Sequence, residues 1–268
     1  MSGLSRRQVI QSGGMLLAFG AIGAACAAND AGGTPGRVGI APPVPTLPEV
    51  EDPPSDATLL RTLHSMEYAA LELYKALVAK NVLNADEQPI FDRIIQDHTR
   101  HADEVGQLIT GAGAQPYACP NEFMMDRSVN PVLAAMEGTD DMHRDVLNIA
   151  WAFESNFGAS YQSFVKLLQG LEYRTAVAFH AGEEHRHAEV LARIINPDDT
   201  FSTTFFGVPE EKDEAGFPIP YAIPSVYGKV SGIDLVVGDV TPEGTRFSIQ
   251  LQTPAQNTFV YEYMACPG

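Results

Sequence analysis

The chain has 268 residues, 45% of them apolar, enough for one good-sized domain or two small ones with a true core. Only 19% are charged, and 34 acidic residues against 17 Lys and Arg leave a net charge of −17. A surface this negative repels nucleic-acid phosphates and anionic lipid, which sets both aside as partners, and it concentrates cations.

In chain order, the first element reads as an address. Ser5-Arg6-Arg7-Gln8-Val9-Ile10-Gln11 resembles the twin-arginine export pattern, and a run of apolar and small residues follows from Met15 to Ala25. That run is too short to span a bilayer as a helix, so it reads as the apolar core of a signal peptide covering residues 1–26. Gly23-Ala24-Ala25-Cys26 resembles a lipoprotein box with Gly where Leu is usual. Two outcomes stay open: a lipid on Cys26 that tethers the protein, or cleavage nearby that releases it. Either way the expected location is the periplasm or cell envelope. Residues 27–55, rich in Gly, Pro and Ala, read as a flexible linker.

From 56 to 196 the period becomes helical. The first helix, about Asp56 to Lys80, places Leu59, Leu63, Met66, Ala70, Tyr74 and Leu77 on one stripe. The second, about Ala85 to Gly111, opens with Asn84 and Glu87 spaced as a capping box and carries Phe91, Ile94, Ile95, Ala102, Val105 and Ile109 inward. A Pro-, Gly- and Asn-rich connection from Ala112 to about Gly138 is long enough to run the length of a bundle. The third helix, about Asp140 to Gln169, and the fourth, about Glu172 to Ile195, complete four rods. Two short joints and one long middle crossover predict a mainly α fold, a ferritin-like antiparallel four-helix bundle.

Beyond it lies an extension, 197–268, that reads as irregular and then β-rich. Ile233–Val237, Arg246–Gln252 and Thr258–Tyr263 are expected as three short strands of a small meander, which must pack on the bundle to be stable. Past the signal peptide the cysteines are Cys119 and Cys266, which in an oxidising compartment read as one disulfide or as two buried thiols.

Polar residues interrupt the apolar stripes at matching places. Glu67 lies inward on the first helix, His98 and His101 on the second, Glu154 on the third, and His180, Glu184 and His187 on the fourth. Buried carboxylates need counter-charge, and the inward faces carry few basic residues; divalent cations would supply it. The two halves also echo each other. Tyr74 follows Glu67 at the spacing with which Tyr161 follows Glu154, and His98-x-x-His101-Ala102 matches Glu184-x-x-His187-Ala188, with Arg before each second His. Tyr74 and Tyr161 read either as core aromatics or as donors to the carboxylates. His180 reads as a packed residue, a partner of the ligands or an extra ligand. His64, Glu72, Asp97, Glu183 and His185 fall off the stripe and are expected in solvent.

This constellation resembles the ferritin-like di-iron and di-manganese carboxylate superfamily, in which two helices each give a Glu and two give Glu-x-x-His. Met66-Glu67-Tyr68-Ala69-Ala70-Leu71-Glu72-Leu73-Tyr74 looks like the first-helix signature of a bacterial exported branch that includes plant desiccation-related proteins. The resemblance implies two iron or manganese ions held by Glu67, His98, His101, Glu154, Glu184 and His187, with small oxidants as partners and an oxidase, ferroxidase or peroxide-handling activity. One position departs from the pattern: His98 stands where the family offers Glu, which leaves two divalent ions with surplus positive charge and admits zinc. A metal-binding or structural envelope protein without turnover, or an interaction module on the same scaffold, is the alternative. A monomer or small homo-oligomer is expected; the tail and linker would crowd a storage cage.

Overall fold

The computed structural model describes residues 54–195, 197, 233–251 and 258–267. The twin-arginine motif, Cys26 and nearly all of the linker lie outside the described residues, as do 198–232 of the extension.

Four long helices form the bundle: α1 (Asp56–Val78), α2 (Gln88–Gly111), α5 (Met142–Val165) and α6 (Leu171–Ile195). The start of α1 is fixed by Ser55, whose hydroxyl accepts from Thr58 N at 3.1 Å. Asp141 does the same for α5, accepting from Arg144 N at 3.0 Å. The Asn84–Glu87 box is formed as expected: Asn84 Oδ1 accepts from Glu87 N, and Glu87 Oε2 accepts from Asn84 N, each at 3.0 Å. It lies in the turn just before α2, since Pro89 suits the first turn of a helix. Helix α1 pairs with α2 and α5 with α6, as short joints require, and α1 meets α5 across the core.

The expected stripe residues Leu59, Leu63, Met66, Ala70, Tyr74 and Leu77 are all fully buried. Each large apolar side chain so placed contributes about 1.5–3 kcal/mol. Among the described residues no helix is long and apolar enough to cross a membrane.

The crossover, expected only as a Pro-, Gly- and Asn-rich connection, is partly helical. Glu122–Met124 forms α3, Met125–Val129 a π-helical segment, and Asn130–Met136 forms α4. Met124, Val129, Val132 and Met136 are buried, so the segment folds as a helix to bring its apolar face onto the bundle.

The extension contributes an antiparallel ribbon, β1 (Ile233–Val237) and β2 (Phe247–Leu251), in register Leu235 to Ile249. Arg246 clamps both carboxylate oxygens of Asp140 at 2.9 and 2.8 Å, and Gly238 N donates to Asp145 Oδ2 at 2.8 Å, fixing the ribbon at the start of α5. The third expected strand, Thr258–Tyr263, does not form. Residues 258–263 run as an irregular segment tied to the helices: Val260 N donates to Thr62 Oγ1 on α1, and Thr258 O accepts from Asn121 Nδ2 at the start of α3. Side chains of the helices take the place of a third ladder. Cys119 and Cys266 form a disulfide, with Cα atoms 5.9 Å apart, joining the crossover to the tail.

Candidate metal centre

Glu67 on α1, His98 and His101 on α2, Glu154 on α5, and Glu184 and His187 on α6 meet inside the bundle, each less than a tenth exposed. They form two overlapping donor groups. In the first are Glu67, His98, His101 and Glu184; in the second are His98, Glu154, Glu184 and His187, and within each group the donor atoms lie within 4.8 Å of one another.

The imidazoles supply part of the counter-charge that the carboxylates need. His98 Nδ1 lies 2.7 Å from Glu67 Oε2, and its Nε2 lies 3.0 Å from Glu154 Oε1. His187 Nδ1 is 3.0 Å from Glu154 Oε2. Burial works to lower the His98 pKa, but Glu184, Glu154 and Glu67 together hold it well above the usual imidazole value. His101 and His187 behave alike: burial lowers, the glutamates outweigh it, and the values rise to about 9 and about 10. Burial alone would raise Glu67 and Glu154; His98, with His101 or His187, brings both below the ordinary range. Protons on three rings can therefore neutralise three carboxylates, and the need for counter-charge does not by itself require a metal.

His101 Nδ1 and Glu184 Oε1 lie 2.8 Å apart, an ion-pair distance, without an aligned hydrogen bond to any neighbour. Leaving buried polar atoms unsatisfied costs about 1–3 kcal/mol each. Four buried donor atoms within 4.8 Å of one another, twice over, are an arrangement that a cation can occupy. The donor set of carboxylate oxygen and imidazole nitrogen suits first-row divalent ions. The residues present fit the metals that the superfamily resemblance implies.

A second layer surrounds the six, exchanged between the two halves. Tyr74, on the helix of Glu67, donates to Glu154 Oε1 at 2.6 Å; Tyr161, on the helix of Glu154, donates to Glu67 Oε1. Both tyrosines are fully buried and so are core aromatics and carboxylate donors at once. Asp97, beside His98, reaches His187 Nε2 at 3.2 Å, while Glu183, beside Glu184, reaches His101 Nε2 at 2.7 Å. Arg93 and Arg100 in turn hold Asp97, and Arg100 also holds Glu183.

The expectation that Asp97, Glu183, His64 and His185 lie in solvent is corrected here; Glu72 is exposed as expected. Asp97 is 7% exposed, and burial, which would raise its pKa, is outweighed by Arg93, Arg100 and His187, which lower it strongly. His64 is buried against Gly106, and His185 packs over Gly158, whose missing side chain leaves room for the ring. Asp97 and Glu183 were detectable in the sequence. The repeat extends one residue upstream, as Asp97-His98-x-x-His101 against Glu183-Glu184-x-x-His187, and an acid there is placed to receive the outer nitrogen of the facing histidine. His180 belongs to neither donor group: its ring stacks on His101 at 4.4 Å and its Nε2 lies 2.8 Å from Glu104 Oε2.

A family model described as the ferritin-like domain matches residues 55–197. Among solved structures, that of a conserved hypothetical protein, Rv2844, from Mycobacterium tuberculosis is similar at 12% identity, over 55% of this chain and 95% of that chain, with a TM-score of 0.44. No curated protein matches. With a helical bundle, inward carboxylates and histidines on all four rods and a family match across more than half its length, the chain belongs to the ferritin-like domain family.

Proposed function

We propose that this is an exported ferritin-like protein that holds two iron or manganese ions and acts on dioxygen or peroxide, or oxidises Fe(II). The observation that carries the metal reading is the pair of overlapping groups of four buried His and Glu donors, each gathered within 4.8 Å. When bound, the metals supply one-electron redox chemistry. The chain's own residues do the rest. Glu67, His98 and His101 would hold one ion and Glu154 and His187 the other, with Glu184 within reach of both. Tyr74 and Tyr161 fix the rotamers of the carboxylates, and Asp97 and Glu183 fix the ring orientation of the histidines, as outer-layer acids do in metal sites. Phe157 packs edge-on against the His98 ring at 5.6 Å, and Phe91 packs behind Tyr74 at 5.4 Å.

Export rests on Arg6-Arg7 and the apolar run after it, which supports loading of the metal before translocation of the folded protein. A lipid on Cys26 would add an N-terminal tether. The test is elemental analysis of protein purified from its native compartment, then anaerobic Fe(II) loading followed by air. Ferric absorption growing with oxygen uptake, or peroxide consumption by the Mn(II) form, is expected. The redox reading is abandoned if neither occurs. A second reading is favoured by His98: one carboxylate fewer at the centre suits zinc, in an envelope metal-binding protein without turnover. Tightly held zinc in the native protein would favour it.

A further inference from the structure

We infer that His98 itself bridges the two metal positions, one ring nitrogen to each ion, in place of a second bridging carboxylate. The inference rests on the metal-binding reading above and adds to it the identity of the bridge and the spacing of the ions. His98 and Glu184 are the residues common to both donor groups. The two nitrogens of His98 face opposite ways: Nδ1 toward Glu67 Oε2 at 2.7 Å, Nε2 toward Glu154 Oε1 at 3.0 Å. Glu184 is divided in the same manner, with Oε1 2.8 Å from His101 Nδ1 and Oε2 3.3 Å from His187 Nδ1.

The ring of His98 is fully buried, with Tyr74 and Phe157 each 5.6 Å away between centroids, so packing holds it between the two groups. Charge points the same way. Three glutamates leave two divalent ions with surplus positive charge. A ring bound through both nitrogens must give up both of its N–H protons to water, and the imidazolate so formed is the fourth negative charge, which makes the site neutral. Metal binding commonly displaces protons from its ligands in this way.

Geometry makes the inference measurable. Metal–nitrogen bonds of about 2 Å leaving opposite ends of one ring hold the ions roughly 6 Å apart. Two-metal sites are otherwise typically about 3.5–4 Å apart. The experiment is crystallisation of the full chain with Zn(II), with anomalous scattering to locate the ions and elemental analysis to count them. The expected result is two ions per chain about 6 Å apart on either side of His98. In His98→Glu, two ions at about 3.5–4 Å are expected; His98→Gln should lose at least one ion. A short spacing in the unaltered protein, or a single ion with His98 hydrogen-bonded as a cation beside it, overturns the bridge and leaves the metal reading standing. Unchanged spacing in His98→Glu overturns it too. No bound ion at all would instead remove the metal reading on which it rests.

Discussion

Asp97 and Glu183 occupy equivalent places in the two halves of the centre, each receiving the outer nitrogen of the histidine that faces it. Asp97→Asn and Glu183→Gln keep shape and lose charge, so each should weaken Co(II) binding by about 10–100-fold, read by competition titration. Effects of similar size at both positions are expected from their matching roles; an effect at one alone would contradict them. Tyr74 and Tyr161 act on stability as well as orientation. Tyr161→Phe leaves Glu67 Oε1 without its buried donor, and a hydrogen bond to a charged group contributes about 1.5–3 kcal/mol. Urea unfolding of the metal-free protein measures that loss, which Tyr74→Phe should match at Glu154.

At the scale of elements, the ribbon buries Leu235, Val237, Ile249 and Leu251 in the core and is anchored by polar contacts around Gly238. Gly238, between β1 and β2, has φ +86°, and a Cβ there would meet the backbone oxygen of Ala135 on α4 at 2.7 Å. Its N–H also donates to buried Asp145. Gly238→Ala should therefore loosen the ribbon from the bundle at a cost of about 1–3 kcal/mol. Hydrogen exchange reads this directly: amides of β1 and β2 lose protection while those of α1 and α5 keep theirs. The ribbon also explains why the third strand failed to form. Periodicity gave 258–263 a strand pattern, but Thr62 and Asn121 offer that stretch of backbone its partners first. In the crossover, expected only as a Pro-, Gly- and Asn-rich connection, Met124, Val129, Val132 and Met136 bury on the bundle and bring helix with them.

For the whole molecule, the Cys119–Cys266 bond closes a loop across 147 positions of the chain. Cys119→Ser with Cys266→Ser should cost about 2–4 kcal/mol, seen as a lower thermal midpoint that matches the reduced parent. The pH response should differ between the metal-free and loaded forms. In the stripped protein His101 and His187 titrate near about 9 and about 10 instead of 6.5, so their contribution is complete below pH 6.5 and is lost as pH rises through those values. Glu67 and Glu154, shifted downward, contribute above the ordinary carboxylate range and lose it in acid. The urea midpoint of chelator-treated protein should thus fall from neutral pH to pH 10. With Zn(II) present the fall should shrink, because ions replace the protons.

From the sequence alone came the four helices, their inward stripes and the six residues that converge, since each depends on a spacing that a helix of 3.6 residues per turn turns into a face. The cysteine pair was legible too, as one of two readings. What crosses from rod to rod was not. Which tyrosine serves which glutamate, that Asp97 and Glu183 sit behind opposite histidines, that Gly106 and Gly158 make room for His64 and His185, and that His98 points a nitrogen at each donor group are set by how the helices are turned against one another. Local periodicity fixes a residue's direction from its own axis; only packing fixes what it meets there.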